Sequence, residues 1–392
     1  MSEENNIEEP NKDISIDDFQ RAYGINFSDA IDIDSWKIGE NLAELYPLIE
    51  NEIIKSKKDE ASTHKTIRDT VFPRIQEKAN VEYAGLHANL ESQTIQKVHR
   101  GFLFNQAVTA CGSVSAVHDT VPISITQIGV CLVNYQGQHG SYSHRLFRRD
   151  LRHKSEDYVQ ETLKLLEKRE SSSSSKNNRA QLSKLAVRGI KAYAEKAILL
   201  DKSDSKWLMG SGSPTPYELM TGFWASRTEM KDRSIDLMRK MLLDHKRFVY
   251  IQSCARNHLL WTLGNALRPF EFLIIDTMED NLTSMVEQGG TRGDFRESYQ
   301  KFATEVGSKI AYGVFRVSQY SQPHIFYGHV DHIMIAALIA MADASFQMHK
   351  GSPMLLDLAS NLCQTAFGKN DLAASIEQAS AKAEAQIKIT TQ

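Results

Sequence analysis

Apolar residues recur at helical spacing over residues 37–57 and through much of 60–99, which predicts two or three helices near the start of the chain. An apolar run over 102–110 predicts the first core strand, ending in a tight turn at Cys111-Gly112-Ser113. A second run over 123–135 predicts its neighbour. Helical periodicity returns over 157–168, and again over 181–199 in a longer segment that carries Arg188, Lys191 and Glu195. Short apolar runs at 205–209, 247–252, 270–275, 311–317 and 324–327 predict further strands. Between and after them, 217–221, 233–244, 331–348 and 354–367 carry helix signals. Strands that alternate with helices in this way argue for an α/β fold with a mixed sheet. No internal repeat is evident.

Composition adjusts this picture at the ends and in one loop. Residues 1–34 hold ten Asp/Glu against Lys12 and Arg21, so the first part of the chain is expected to be a solvated acidic arm, placed at 1–35. The serine tract 171–175 with Lys176-Asn177-Asn178 predicts a flexible loop at 170–178. The expected organisation is therefore the arm, an N-terminal helical region at 36–100, a core at 101–368 and a polar tail at 369–392.

At 392 residues, 41% hydrophobic and 24% charged, the chain has the composition of a globular protein with ample core. No apolar run is expected to reach the eighteen or so residues that span a bilayer. The acidic start is unlike a signal peptide. Cys111, Cys131, Cys254 and Cys363 stand singly, without metal-knuckle or disulfide spacing, which points to a reducing cytoplasm. With a net charge of −3, contact with nucleic acid requires a local patch. Residues 144–154 offer one: Arg145, Arg148, Arg149, Arg152 and Lys154 against Asp150. Such a segment either tracks a phosphate backbone or pairs its arginines with the acidic arm or a neighbouring helix.

Three other places carry candidate chemistry. Residues 210–219, Gly-Ser-Gly-Ser-Pro-Thr-Pro-Tyr-Glu-Leu, open a helix and suit either a phosphate-facing loop or a plain connecting turn. They lack the lysine of a nucleotide-binding P-loop. His324, His329, Asp331 and His332, with Asp343 beyond, have donors for a transition metal, although Asp331 is also a natural helix cap. Cys111 beside a glycine is either a nucleophile or an inert core thiol.

The layout resembles the NurA family of DNA-end-processing nucleases, whose core is RNase H-like. Cys111-Gly112-Ser113 stands where that family has Asp-Gly-Ser on its first core strand. Glu195, within Ala192-Tyr193-Ala194-Glu195-Lys196-Ala197, stands for a metal-binding glutamate on a following helix, and Met209-Gly210 for a second Asp-Gly pair. The late strand at 314–317 and the proline-leucine helix from Pro353, with Asp357 and Ser360, match the family's last elements. The similarity spans about residues 100–367. It implies an RNase H-like mixed sheet flanked by helices, metal-dependent hydrolysis of DNA with Mn2+ or Mg2+, and a homodimer seated on a HerA-type hexameric DNA translocase. The family's work in DNA repair, DNA end processing or antiviral defence follows from the same resemblance. Carried over by position, Glu195 and Asp357 are the catalytic and metal-binding candidates, and Cys111 marks a lost aspartate. The sulfur side chains of Cys111 and Met209 are poor ligands for Mg2+ or Mn2+. The alternatives are a working nuclease with a modified site, a catalytically silent scaffold in the same complex, and an unrelated α/β binding protein.

Overall fold

The computed structural model describes residues 15–36, 45–88, 90–119, 123–149, 184–221, 228–288 and 294–382. The acidic stretch before Ser15, the expected helix at 157–168, the serine loop and the end of the tail lie outside these residues, as do Arg152 and Lys154.

The chain divides into two compact units, Met1–Thr63 and His64–Gln392. In the first, α1 (Ile16–Tyr23) begins at Ser15, whose hydroxyl accepts a bond from the Asp18 amide, and ends at Gly24 in the left-handed conformation. α2 (Phe27–Ile31) follows, with the Phe27 ring edge-on to Phe19 at 5.2 Å. α3 (Tyr46–Thr66) runs into the second unit. None of these three helices buries a side chain.

The second unit is built on one nine-stranded sheet: β1 (Gly85–His87), β2 (Val108–Asp119), β3 (Ile123–Asn134), β4 (Gly137–Arg149), β5 (Trp207–Ser211), β6 (Phe248–Ser253), β7 (Glu271–Thr277), β8 (Ile310–Arg316) and β9 (His324–His329). Their order is β1-β7-β8-β9-β6-β5-β2-β3-β4. β2–β5 and β5–β6 are parallel, and every other pair is antiparallel. The antiparallel meander β4-β3-β2, continued by parallel β5 and β6, has the order of an RNase H-like core, so the fold is α/β with a mixed sheet.

Helices cover both faces, as strand alternation requires. α4 (Phe72–Lys78), α6 (Lys184–Lys202), α7 (Tyr217–Thr221), α8 (Thr228–Arg239), α9 (His258–Asn265), α10 (Glu279–Gln288) and α11 (Asp294–Gly307) pack on the face that holds Cys111, Leu132, Leu208 and Tyr250. α5 (Ser92–Val98), α12 (Ile333–Ala344) and α13 (Met354–Phe367) pack on the other face, against Ala110, Met209, Val249 and Phe326. α14 (Lys369–Lys382) closes a small cluster with Ala116 and Ile125.

The structure alters three expectations. The apolar residues at 102–104 belong to a π-helical turn, His99–Leu103, and its aftermath, not to a strand. A left-handed Gln106 then turns the chain into β2. Cys111-Gly112-Ser113 is not a turn either: the three pair with Leu132, Cys131 and Val130 of β3, and the strand runs on to Asp119. Third, the segment Val330–Gln347 is apolar and long enough to cross a membrane by length and composition. It is half buried in this fold, with α12 packed against β6, β8 and β9.

Gly112 has a packing reason. A Cβ there would lie 2.3 Å from the Ala359 carbonyl oxygen, because α13 crosses β2 in backbone contact. Gly129 on β3 is similarly covered by Phe367. Gly112→Ala is therefore expected to push α13 off the sheet and cost about 1–3 kcal/mol of stability. A denaturation midpoint equal to that of the unaltered protein would contradict this.

Candidate functional site

α6 is amphipathic, and its sheet-facing side carries charge. Arg188, Glu195 and Lys196 are seven and eight residues apart, a spacing that returns them to one side of the helix. They meet the alternate residues of β2 that point the same way. Ser113 Oγ donates to Glu195 Oε2 at 2.7 Å, and the Cys111 thiol lies 3.8 Å from the Glu195 carbonyl oxygen. Burial, reinforced by the Glu195 charge, pushes the Cys111 thiol well above its ordinary range, so it stays protonated. That is the chemistry of a core thiol rather than of a free nucleophile.

Lys196 is 2% exposed. Its Nζ lies 4.7 Å from the centroid of the Tyr250 ring on β6, a cation–π arrangement. The Tyr250 hydroxyl donates to Met241 Sδ at 3.4 Å. The ring is pressed against Gly210 of β5, where a Cβ would fall 2.2 Å from it. Burial lowers the Lys196 pKa from its ordinary value, while the charges of Glu195 and Glu218 oppose that shift. Glu218, in the first turn of α7, is buried and its Oε1 lies 2.8 Å from Arg188 Nε. The pocket thus holds two carboxylates and two cations beside a neutral thiol.

The singled-out residues divide between the faces. Cys111 and Glu195 come together. Met209 does not join them: it is in register with Ala110 of β2 and points to the opposite face. α13, with Asp357 and Ser360, also packs on that opposite face, over Gly112. The Asp357 carboxylate is occupied by Gln347 Nε2 at 2.9 Å, the Lys350 ammonium and Ser352 Oγ at 3.4 Å, which makes it a clamp on the loop before α13. Arg145 bonds to Gln127 and Ser375 and lies 3.8 Å from Asp371 on α14. Of the two readings of the basic segment, pairing with a neighbouring helix is what Arg145 does. The backbones of Arg148 and Arg149 complete β4, and their side chains are outside the description.

The late histidine cluster is not a ligand set. His329 Nδ1 accepts from the Asp331 amide, so the histidine, not Asp331, caps the following turn. Burial drives the His329 pKa down to about 4. His324 bonds to the Gln322 carbonyl, and Asp331 reaches Lys246 at 3.2 Å. Asp343 is wholly buried on α12, where it accepts from the Tyr135 hydroxyl and, at 2.9 Å, from the Leu355 amide at the start of α13. In the loop before α7, left-handed Gly212 and the Ser213 hydroxyl, which accepts from the Thr215 amide at 3.1 Å, form a turn.

The Cys111 pocket does not fit a divalent hard cation. Mg2+ and Mn2+ need several oxygen anions free to coordinate. Here Glu195 is tied to Ser113, Glu218 faces Arg188, the thiol is protonated, and a buried ammonium stands among them. Among the described residues no group of three or more His, Cys, Asp or Glu is placed to hold a metal. The family position of Cys111 drew attention to the pocket. The sequence reading places Arg188 on the same helix and offers Glu218 as a substitute ligand, but gives Lys196 and Tyr250 no role, although charges seven and eight apart on an apolar helix are a signal.

No protein-family model matches the chain, and no curated protein does. Solved structures do. The NurA nuclease from Sulfolobus solfataricus is similar over 88% of this chain and 99% of its own, at 11% identity and a TM-score of 0.42. A NurA bound to dAMP and manganese is similar over 82% of this chain and 92% of its own, at 10% identity and a TM-score of 0.38. Endonuclease V from Bacillus subtilis is similar over 74% and 97%, at 9% identity and a TM-score of 0.31. Identities of this size carry no residue's role across. NurA nucleases are among the structures that this chain resembles along most of its length.

Proposed function

We propose that this chain is a NurA-like component of a DNA-processing complex in which the pocket around Cys111 serves structure and not metal-dependent cleavage. The observation that carries this reading is the buried Lys196 side chain on the sheet face where Ser113 holds Glu195 and Arg188 holds Glu218. A nuclease of this kind needs hard oxygen anions there to hold the ions that activate water and stabilise the leaving oxygen. This chain offers an internally neutralised set. The RNase H-like strand order and the Cys111-Gly112-Ser113 and Glu195 positions support the family part of the proposal. By the same resemblance its partners are DNA and a HerA-type hexameric ATPase, which it meets as a homodimer. Its contribution is then a scaffold on the motor.

The test is a cleavage assay with pure protein, MnCl2 and labelled single- and double-stranded DNA, run beside calorimetric titration of Mn2+. Neither cutting nor Mn2+ uptake is expected. Cutting that disappears in Glu195→Ala would establish the opposite reading, a working nuclease with a modified site. Co-purification with a HerA-type ATPase, and a change in its turnover on adding this chain, tests the partner. An ATPase that neither binds nor responds would remove that part of the proposal.

A further inference from the structure

Resting on that reading, we infer that the Lys196 ammonium is a built-in replacement for the divalent cation, placing a fixed positive charge in the pocket and barring a metal from it. Lys196 is the buried cation of α6, 2% exposed, on the face of the sheet where Ser113 fixes Glu195 at 2.7 Å. Glu218 approaches from α7 with Arg188 at 2.8 Å. Two carboxylates are thus balanced by two protein-borne cations, with no charge left for a free ion to neutralise. A divalent ion that entered beside Glu195 would have to share this interior with the ammonium, where screening is weak.

Tyr250 and Gly210 explain how a lysine stays there. A buried ammonium needs an electron-rich surface, and the Tyr250 ring supplies one 4.7 Å from Nζ. The ring occupies the space beside Gly210 that any larger residue would claim, and its hydroxyl is anchored on Met241. Cys111, neutral and small, fits beside a fixed cation without adding charge. The sulfur at position 111 and the lysine at 196 then act together: the first offers no anionic ligand and the second is a resident cation. An aspartate restored at 111 would not suffice to admit a metal, because the ammonium would remain.

The experiment titrates MnCl2 into four forms of the full chain, by calorimetry and by thermal melting: the unaltered protein, Cys111→Asp, Cys111→Asp with Lys196→Met, and Cys111→Asp with Lys196→Arg. Glu195-dependent uptake by the unaltered protein would overturn the reading under Proposed function, and with it this inference. With no such uptake, the variants test the inference alone. The methionine double form is expected to bind Mn2+ more tightly than Cys111→Asp by about tenfold or more. If it unfolds when metal-free, Mn2+ is expected to restore its cooperative melt. Equal affinity in these two forms, or a methionine form that Mn2+ neither binds nor restores, would overturn the inference. The arginine form keeps the positive charge and is expected to bind no better than Cys111→Asp; binding as tight as the methionine form would show that charge is not the barrier.

Discussion

Arg68→Ala is expected to lower the unfolding free energy by about 3–5 kcal/mol, read as a large fall in the urea midpoint. Arg68 lies in a π-helical turn before α4, and its guanidinium grips both oxygens of Glu271 on β7, at 2.5 and 3.0 Å. A third bond reaches the Ala266 carbonyl at 3.0 Å. Glu271 also accepts from the Arg268 amide at 2.8 Å, and its side chain is only 6% exposed. Removing the arginine leaves a buried carboxylate with one backbone partner, so the loss reflects an uncompensated charge more than a lost attraction. Replacing both members by apolar residues of similar volume, Arg68→Met with Glu271→Leu, is expected to recover most of the loss. A single variant that loses less than about 1 kcal/mol would show that water reaches Glu271 and that the pair is only a surface contact.

Asp343→Asn is expected to remove a pH dependence that the unaltered protein carries. Burial raises the folded-state pKa of Asp343 from 3.8 to about 7. A raised carboxyl pKa means that the folded form holds the proton more tightly than the unfolded form. This contribution to stability is therefore full below about pH 4 and lost as pH rises through about 7. The groups that face Asp343 are the Tyr135 hydroxyl from the β3–β4 turn, the Leu355 amide and the more distant Asp357 charge from α13. The stability difference between the variant and the unaltered protein should shift in the variant's favour by roughly 2–3 kcal/mol between pH 5 and pH 8. Urea melts at the two pH values measure it. An unchanged difference would mean that Asp343 is ionised throughout, held so by its two hydrogen bonds.

The strands from β5 onward were legible because they are short apolar runs bounded by polar turns, and α13 matched its periodicity from Met354 to Phe367. Two of the misreadings have plain physical causes. Phe102, Leu103 and Phe104 form an apolar run too short to distinguish helix from strand, and the π-helical turn buries only Leu103. β4 was missed because it lies at the sheet edge. There Tyr142 and Leu146 are half-buried, while His144, Arg145 and Phe147 face outward, so its alternation is weak and its charge draws attention instead. Of the pocket, position gave Cys111 and Glu195. Glu218 is legible as a candidate carboxylate, but its pairing with Arg188 and the placing of Lys196 are readable only with α6 and α7 set against β2, β5 and β6. No local pattern states that a lysine will be covered by a tyrosine from a strand fifty residues later.

The crossing of α13 over β2 and β3 also sets the order in which the chain can mature. A ribosome delivers Val108 to Asn134 early, but the helix that shields Ala110, Gly112 and Cys131 begins only at Met354. Adding the intervening stretch takes roughly 10–50 s at ordinary rates of translation. During that interval the nascent hairpin presents a bare oily surface, which makes the unfinished polypeptide prone to aggregate.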